Sequence, residues 1–254
     1  LSDKKSFVGG IRESNEFLLI NIVNLELDEI FNIKNSIQND ADFIFLDSEK
    51  NAPQDNIKLN SSYLNFISKS RNQNLKKIKP INPSRITSDA AISLIENRLR
   101  ENFTIGIIGF GAIGFRIAKE LFDQGININV YSRNKEVTSK KIESLNLLNN
   151  NPKTNQIKLL ENNSQVCESS DLIFTCSSNE NILTEKDLKT INKKPQEIID
   201  IGKNNLTLKA INYCISNNIK ISRLDIGNQL IKELNSFLND LKINKIIPKR
   251  KELN

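Results

Sequence analysis

A glycine-rich turn between two apolar strands is the feature that most constrains how this 254-residue chain folds. Residues 104–134 have the sequence TIGIIGFGAIGFRIAKELFDQGININVYSRN. The first five residues are an apolar run typical of a buried parallel strand, and 126–131 alternate like a second strand. Between them lie the pattern Gly-x-Gly-x-x-Gly and an amphipathic stretch at helical spacing, which Gly125 is placed to end. This order of elements predicts the start of a parallel α/β sheet.

Each glycine of the pattern has its own physical task. Gly109 permits the tight turn that leaves the strand, Gly111 leaves room for a pyrophosphate near the backbone, and Gly114 lets the helix pack close to the strand. The helix start also presents free N–H groups and the positive end of its dipole to an anion. A glycine-rich turn that binds nothing is the alternative. The surrounding strands and helix favour a dinucleotide-binding loop made of Gly109, Phe110, Gly111, Ala112, Ile113 and Gly114.

The residues that follow the second strand bear on which dinucleotide is bound. An Asp or Glu at this place holds the ribose 2′-hydroxyl of NAD. Here the chain has Ser132, Arg133 and Asn134, and the first acid is Glu136. An acid would repel a 2′-phosphate, whereas a hydroxyl and a guanidinium can bind one through charge-assisted hydrogen bonds. We therefore expect NADP as the cofactor in preference to NAD, with a solvated Arg133 as the alternative.

Strand and helix signals continue to alternate along the rest of the chain. Later strands are predicted at the apolar segments 157–160, 171–176, 197–201 and 219–224. This alternation predicts an α/β fold with a Rossmann-type doubly wound parallel sheet, in which the strand at 104–108 is central. Ligands of such sheets lie outside the carboxyl ends of the strands. A second set of residues is therefore expected beside the glycine loop, namely Cys176, Ser177, Ser178, Asn179, Gly202 and Lys203.

The residues before the glycine loop predict a smaller N-terminal α/β domain. Strands are expected at 16–24 and 41–47, paired in parallel through a crossover helix at 27–37. A further helix is expected at 61–69. Two prolines disfavour helix before them, so 79–84 is expected to be extended.

A bridging helix is expected to lead from this domain into the glycine loop. Thr87 or Ser88 is its candidate N-cap, and its apolar face runs to about Arg100. The sequence thus predicts an N-terminal domain at 1–84, a bridging helix at 85–102, a Rossmann domain at 103–244 and a basic tail at 245–254.

The composition excludes several classes of chemistry. The chain has no histidine, which removes Ser-His-Asp and Cys-His catalysis and histidine metal sites. Three cysteines without C-x-x-C spacing indicate a reduced, cytoplasmic protein without a structural metal. No apolar run approaches the roughly eighteen residues of a membrane span. The net charge of +6 favours an anionic small-molecule substrate. No motif indicates binding of nucleic acid. The sequence leaves open whether the chain forms a homodimer.

Several stretches resemble the shikimate dehydrogenase-like group of two-domain NADP enzymes, with glutamyl-tRNA reductase and methylene-tetrahydrofolate dehydrogenase as looser relatives. Residues 86–89, Ile-Thr-Ser-Asp, resemble that group's Asn-Thr-Asp-Gly stretch, and 132–134 resemble its Asn-Arg-Thr element, which receives the 2′-phosphate. Residues 171–178 resemble its strand beside the nicotinamide, and 198–202 with 227–230 resemble its last strand and the next helix. The glycine loop departs from the group's Gly-Ala-Gly-Gly-Ala, and the Asn-Val-Thr strand that precedes its catalytic Lys is not found here.

The resemblance implies a catalytic role for Asp89, with Lys79 or Lys203 as its candidate partner. The residues themselves leave other roles open: an acid that complements a helix dipole, solvated lysines, and a Cys176 packed in the core. The implied reaction is NADP-dependent hydride transfer on a small anionic metabolite, with NAD as an alternative cofactor. An S-adenosylmethionine-dependent methyltransferase and a non-catalytic nucleotide-binding regulator remain alternatives. The first is disfavoured because no acid follows the second strand.

Overall fold

The computed structural model describes residues 7–13, 18–23, 44–47, 78–100, 103–148 and 156–240. The chain divides into two compact units, of which the first comprises Leu1–Pro83 with Lys232–Asn254 and the second comprises Ser84–Ile231. The helices predicted at 27–37 and 61–69 lie outside the described residues. None of the helices that these residues form is long and apolar enough to cross a membrane.

The first unit begins with an antiparallel pair of strands, β1 (Phe7–Glu13) and β2 (Leu18–Val23). The expected parallel pairing of 16–24 with 41–47 is wrong, because β2 pairs with β1. The physical reason is that β1 carries the pair Gly9-Gly10, which interrupts the apolar alternation by which a strand is recognised. The sequence therefore does not predict the antiparallel pair of β1 and β2, and the predicted crossover joins two strands, 16–24 and 41–47, that do not pair.

A second pair of strands in this unit is parallel. β3 (Ile44–Asp47) lies beside β4 (Ile78–Ile81), with Phe45 opposite Lys79 in the register. The ring of Phe45 meets the ring of Phe237 edge to face, with 5.6 Å between the centroids. Such an arrangement is a favourable one for two aromatic rings. It joins the strand to the C-terminal segment that belongs to the same unit.

The helix α1 (Pro83–Ile95) begins earlier than the sequence predicts and is followed by a 3-10 turn at Glu96–Arg98. Pro83 occupies the first helical position, where its missing N–H is not needed and its fixed φ suits the helix. Ser88 is therefore not an N-cap, and its hydroxyl donates to the carbonyl of Arg85 at 2.9 Å within the helix. Asp89 lies beyond the first turn, so the interpretation as a dipole-complementing acid is also wrong.

The second unit contains a six-stranded sheet in which all paired strands are parallel. The spatial order is β10-β9-β8-β5-β6-β7, which is the order of a doubly wound Rossmann-type sheet read from its last strand. The predicted fold class is confirmed, with the strand at 104–108 in a central place. The strands are β5 (Thr104–Ile108), β6 (Asn127–Tyr131), β7 (Ile157–Leu159), β8 (Leu172–Thr175), β9 (Glu197–Asp200) and β10 (Lys220–Arg223).

Helices flank this sheet, and the side chains of β5 show why. Ile105 and Ile107 belong to one buried cluster together with Ile117 and Leu121 of the following helix, whereas Ile108 belongs to a second cluster. A strand buried on two faces needs apolar residues on both, which β5 supplies. The helices are α2 (Ala112–Asp123), α3 (Lys135–Leu148), α4 (Asn163–Glu168), α5 (Glu185–Lys189) and α6 (Leu208–Ser216). A last helix, α7 (Gly227–Asp240), continues from the second unit into residues that belong to the first.

Local signals set the ends of several helices. Gly125 has φ +85°, which is the left-handed conformation that ends α2, as the sequence predicts. Thr184 caps α5 in a capping box with Asp187. Thr207 caps α6 by accepting from the N–H of Ala210 at 3.1 Å.

A buried carboxylate fixes the amino edge of the sheet. Glu197, 4% exposed, forms an ion pair with Arg98, accepts from the Ser222 hydroxyl at 2.8 Å and lies 3.2 Å from the Lys220 ammonium. Burial alone would raise the pKa of Glu197, but the bonds from Ser222, Lys220 and Arg98 together hold that pKa below its ordinary value. The carboxylate therefore ties the 3-10 turn after α1 to β9 and β10.

Candidate functional site

Three loops interlock at the carboxyl edge of the sheet, where a ligand of this fold is expected. Gly109 has φ +97°, and its N–H donates to the carbonyl of Tyr131 at 2.8 Å. A Cβ placed on Gly109 would lie 2.9 Å from the backbone nitrogen of Ser177, and one on Gly202 would clash with the Ser177 carbonyl. The structure thus brings together the loops after β5, β8 and β9, at a distance that only glycine permits.

The side chain of Asn205 holds this arrangement and was not among the predicted site residues. It is fully buried, and its Oδ1 accepts from the Ser177 N–H at 3.1 Å. Its Nδ2 donates to the carbonyl of Ser177 at 3.0 Å and to the carbonyl of Asn179 at 2.7 Å. Gly202 is needed here as well, because a Cβ on it would clash with Asn205 Oδ1. The only sequence signal is an Asn between the turn at Gly202 and the N-cap Thr207.

The glycine loop leaves the start of α2 open. Gly111 is the N-cap of α2 and supplies no side-chain hydrogen bond, so the first N–H groups of the helix lack a cap. A Cβ on Gly111 would have no other heavy atom within 4 Å, whereas one on Gly114 would clash with the carbonyl oxygen of Gly109. The two glycines therefore differ in the way predicted: Gly114 allows close packing and Gly111 borders open space. Uncapped amides beside open space fit the pyrophosphate of a dinucleotide.

Arg133 reaches across the glycine loop to the loop after β8. With the Asn179 amide oriented to satisfy both groups, the guanidinium donates to Asn179 Oδ1 from Nη2 at 2.5 Å and from Nη1 at 2.8 Å. Arg133 itself is exposed and the preceding Ser132 is half-buried. Asn134 has a structural task, since its Oδ1 accepts from the Val137 N–H at 3.1 Å and so caps α3. Of the three predicted residues, Arg133 and Ser132 remain available to a ligand.

A lysine on α3 supports the glycine loop from the other side. The Nζ of Lys141 donates to the carbonyl of Phe110 at 3.0 Å. It also lies 5.9 Å from the centroid of the Phe110 ring and 5.8 Å from that of Phe115, within cation–π range of both. Lys141 therefore brings a positive charge to the loop and fixes Phe110, whose ring is buried. Nothing in the local sequence pointed to it, because 31 residues separate Lys141 from Phe110.

The remaining predicted residues lie in different environments. Ser178 and Lys203 are exposed beside the interlocked loops, whereas Cys176 is 9% exposed and packs in the core. Burial, and to a smaller degree the nearby Asp200, raise the pKa of the Cys176 thiol far above its ordinary value. Its side chain is therefore a packing group and not a ligand contact. The Thr175 hydroxyl donates to the Asp200 carboxylate at 2.9 Å, and Asp200 has a structural role at the end of β9.

Asp89 and Lys79 are not joined to the loops by the contacts of the described residues. Asp89 is a half-buried residue of α1, and no hydrogen bond or ion pair in the described part of the second unit links it to the glycine loop. Lys79 belongs to β4 of the first unit. Their catalytic roles rest on the resemblance alone.

The second unit is by its topology a Rossmann-type domain, and its glycine loop lies where such domains bind dinucleotides. Residues 104–203 match the family model described as NADP oxidoreductase coenzyme F420-dependent. The match runs from the first residue of β5 to Lys203, so it includes the loops after β5 and β8 and the first residues of the loop after β9. The family model is not that of the shikimate dehydrogenase-like group, and that resemblance stays a prediction. A comparison with curated protein sequences finds no match.

Several solved structures are similar to part of this chain at low identity. The A chain of dipicolinate synthase from Bacillus subtilis has 15% identity and a TM-score of 0.44, over 72% of this chain and 63% of that chain. Δ(1)-pyrroline-2-carboxylate reductase from Thermococcus litoralis, in complex with NADH and L-proline, has 13% identity and a TM-score of 0.46, over 63% of this chain and 65% of that chain. CAD from Helicobacter pylori, complexed with NADP(H), has 17% identity and a TM-score of 0.43, over 63% and 44%. The chain spans less than two thirds of the length of each.

Proposed function

We propose that the protein is an NADP-dependent oxidoreductase that transfers hydride to or from a small anionic metabolite. The observation that carries this proposal is the open, uncapped start of α2 at Gly111, in the glycine loop that Arg133 reaches across. The match of residues 104–203 to an NADP oxidoreductase model supports it. The interlocked loops provide a rigid frame on which a nicotinamide and a substrate can be oriented.

Each group near the glycine loop has a part in this function. The free N–H groups at the start of α2, with the positive end of the helix dipole, stabilise the charge of the pyrophosphate. Arg133 and Ser132 follow β6, where they bind the 2′-phosphate through charge-assisted hydrogen bonds. Lys141 adds positive charge behind Phe110. When bound, NADPH would donate the hydride or NADP⁺ would accept it, and the protein supplies orientation and charge.

The proton that accompanies the hydride must come from a group other than histidine, since the chain has none. Cys176 is unsuitable because its thiol is buried in the core. Lys203 directly follows Gly202 at the ligand edge and is exposed, so we propose it as the proton donor or the partner of a substrate carboxylate. Asp89 and Lys79 are the other candidates, on the resemblance described above.

Binding measurements on the full chain test the cofactor assignment. We expect calorimetric titration to show tight binding of NADPH, weaker binding of NADH and no binding of S-adenosylmethionine. Arg133→Ala should reduce the ratio of NADPH to NADH affinity by roughly ten- to a hundredfold, since a hydrogen bond to a charged group contributes about 1.5–3 kcal/mol. Ser132→Asp should reverse the preference by repelling the 2′-phosphate. Lys140→Ala is the control, because Lys140 is exposed and paired with Glu136.

A second variant tests the glycine loop itself. Gly111→Val should abolish binding of both dinucleotides while leaving the fold intact, because the added side chain would occupy the open space beside α2. Oxidation of NADPH in the presence of small acids that carry a carbonyl or imine group then tests for hydride transfer. A wild-type protein that prefers NADH, or a Gly111→Val variant with unchanged affinity, would refute the proposal.

A further inference from the structure

Arg133 and Asn179 join the two loops that flank the glycine loop. β5 lies between β6 and β8 in the sheet, Arg133 follows β6, and Asn179 follows β8. The carboxyl end of β5 carries the glycine loop, so the bond from Arg133 to Asn179 passes over it. Neighbouring strands are about 4.8 Å apart, and the bridge therefore spans about 10 Å, which an Arg and an Asn side chain together can reach.

The backbone of Asn179 is held independently of its side chain. Its N–H donates to Ser177 Oγ at 3.0 Å, and its carbonyl accepts from Asn205 Nδ2 at 2.7 Å. In the orientation that satisfies the Asn179 amide, both hydrogen bonds to its side-chain oxygen come from Arg133. The backbone bonds of Asn179 do not depend on this oxygen, so we expect the loop to keep its shape when the side chain is shortened.

We propose that Arg133 and Asn179 form a latch that closes the glycine loop when no dinucleotide is bound. The proposal rests on the proposed function. NADPH and NADH carry the same pyrophosphate, so each must open the latch at the same cost, and the latch lowers the affinity for both by the same factor. The choice between them then depends on the phosphate that only NADPH offers the released guanidinium. Asn179 is thus a positioning residue that acts through Arg133.

A mutant cycle read out with NADH tests the latch. NADH is titrated calorimetrically into the wild-type full chain, Asn179→Ala, Arg133→Ala and the double variant. Because exposed polar pairs contribute up to about 1 kcal/mol, each single variant should bind NADH about two- to fivefold more tightly, and the double variant no more tightly than either single one. Asn212→Ala, which removes an exposed amide on α6, is the control and should not change the affinity.

The outcomes separate this proposal from the cofactor assignment. An unchanged NADH affinity in Asn179→Ala, or gains that multiply in the double variant, would overturn the latch. Failure of the cofactor assignment shows in a different quantity, which is the ratio of NADPH to NADH affinity in Arg133→Ala. If the wild type binds neither dinucleotide, urea unfolding without ligand replaces the titration. Non-additive stability losses of Asn179→Ala and Arg133→Ala support the latch, and additive losses overturn it.

Discussion

The side-chain amide of Asn205 pairs with the backbone of Ser177 at both of that residue's polar atoms, although 28 residues separate the two in the chain. Toward Ser177 the amide forms the two hydrogen bonds that a neighbouring strand would form, because it accepts from the Ser177 N–H and donates to the Ser177 carbonyl. Asn205 is fully buried, so no water can replace these bonds. The position of the loop after β8, and with it the reach of Asn179 to Arg133, therefore depends on one side chain.

Replacing Asn205 should destabilise the protein strongly. We expect Asn205→Ala to lower the free energy of unfolding by about 2–4 kcal/mol, because the buried N–H of Ser177 and two carbonyls lose their partner. Asn205→Asp keeps the shape but cannot donate to the carbonyls, and it should also be destabilising at neutral pH. Urea unfolding measures both, with Asn212→Ala as an exposed control. Equal stabilities of the wild type and Asn205→Ala would contradict the structural role given to this amide.

A methyl group added to each of the two glycines at the start of α2 should have different effects on the free energy of unfolding. Gly114→Ala should lower the free energy of unfolding by about 1–3 kcal/mol, because its Cβ would meet the backbone oxygen of Gly109. Gly111→Ala should change it by no more than about 0.5 kcal/mol, since its Cβ would lie in open space at φ −74°. Thermal or urea unfolding of the two variants side by side checks this. The prediction fails if Gly111→Ala is the more destabilised of the pair.

Stability should depend on pH through Glu197. The folded protein holds the pKa of Glu197 below its ordinary value, so its contribution is complete above about pH 4.5, the region of the unfolded pKa, and is lost as the pH falls through the folded pKa. Glu197→Gln should therefore cost about 1–3 kcal/mol at neutral pH and progressively less below about pH 4. Urea unfolding across this range measures the difference, with the exposed Glu136→Gln as the control. A difference that stays constant with pH would rule out the charge as its cause.

The three cysteines should be unreactive in the folded protein. Cys167, Cys176 and Cys214 are all buried, and burial raises the pKa of each thiol, that of Cys214 to about 11. The thiolate is the reactive form, so a thiol reagent at neutral pH should label none of them until the chain unfolds, when all three react. The labelling count with and without denaturant checks this. A thiol that reacts rapidly in the native protein would show that one of these sites opens.

Local patterns predicted the fold well and the long-range contacts poorly. The strand at 104–108, the tight turn at Gly109 and the end of α2 at Gly125 depend on residues close in sequence, and the structure confirms them. β1 was not recognised, since Gly9-Gly10 hides its alternation. The sequence predicts the start of α1 too late, because Pro83 disfavours helix before it and is itself the first helical residue.

The residues of the candidate site also divide into those that a local motif predicts and those that only long-range contacts reveal. The glycines and Arg133 lie in a short motif whose spacing carries their roles. Asn205 and Lys141 act on residues about thirty positions away, on loops that only the folded sheet brings near them. An Asn in a loop and a Lys on an amphipathic helix are ordinary in sequence, and their chemistry appears only when their partners are in place.

The interlocking of the loops after β5, β8 and β9 has a dynamic consequence. Loop amides usually exchange their protons with water readily, but those of Gly109, Ser177 and Leu183 each donate to a fixed acceptor at 2.8–3.1 Å. They should exchange as slowly as strand amides do, which hydrogen exchange can resolve residue by residue. The conformational entropy of these loops is lost during folding, before any ligand arrives. A molecule that docks on this edge then has to order side chains but not backbone, which lowers the entropic cost of its binding.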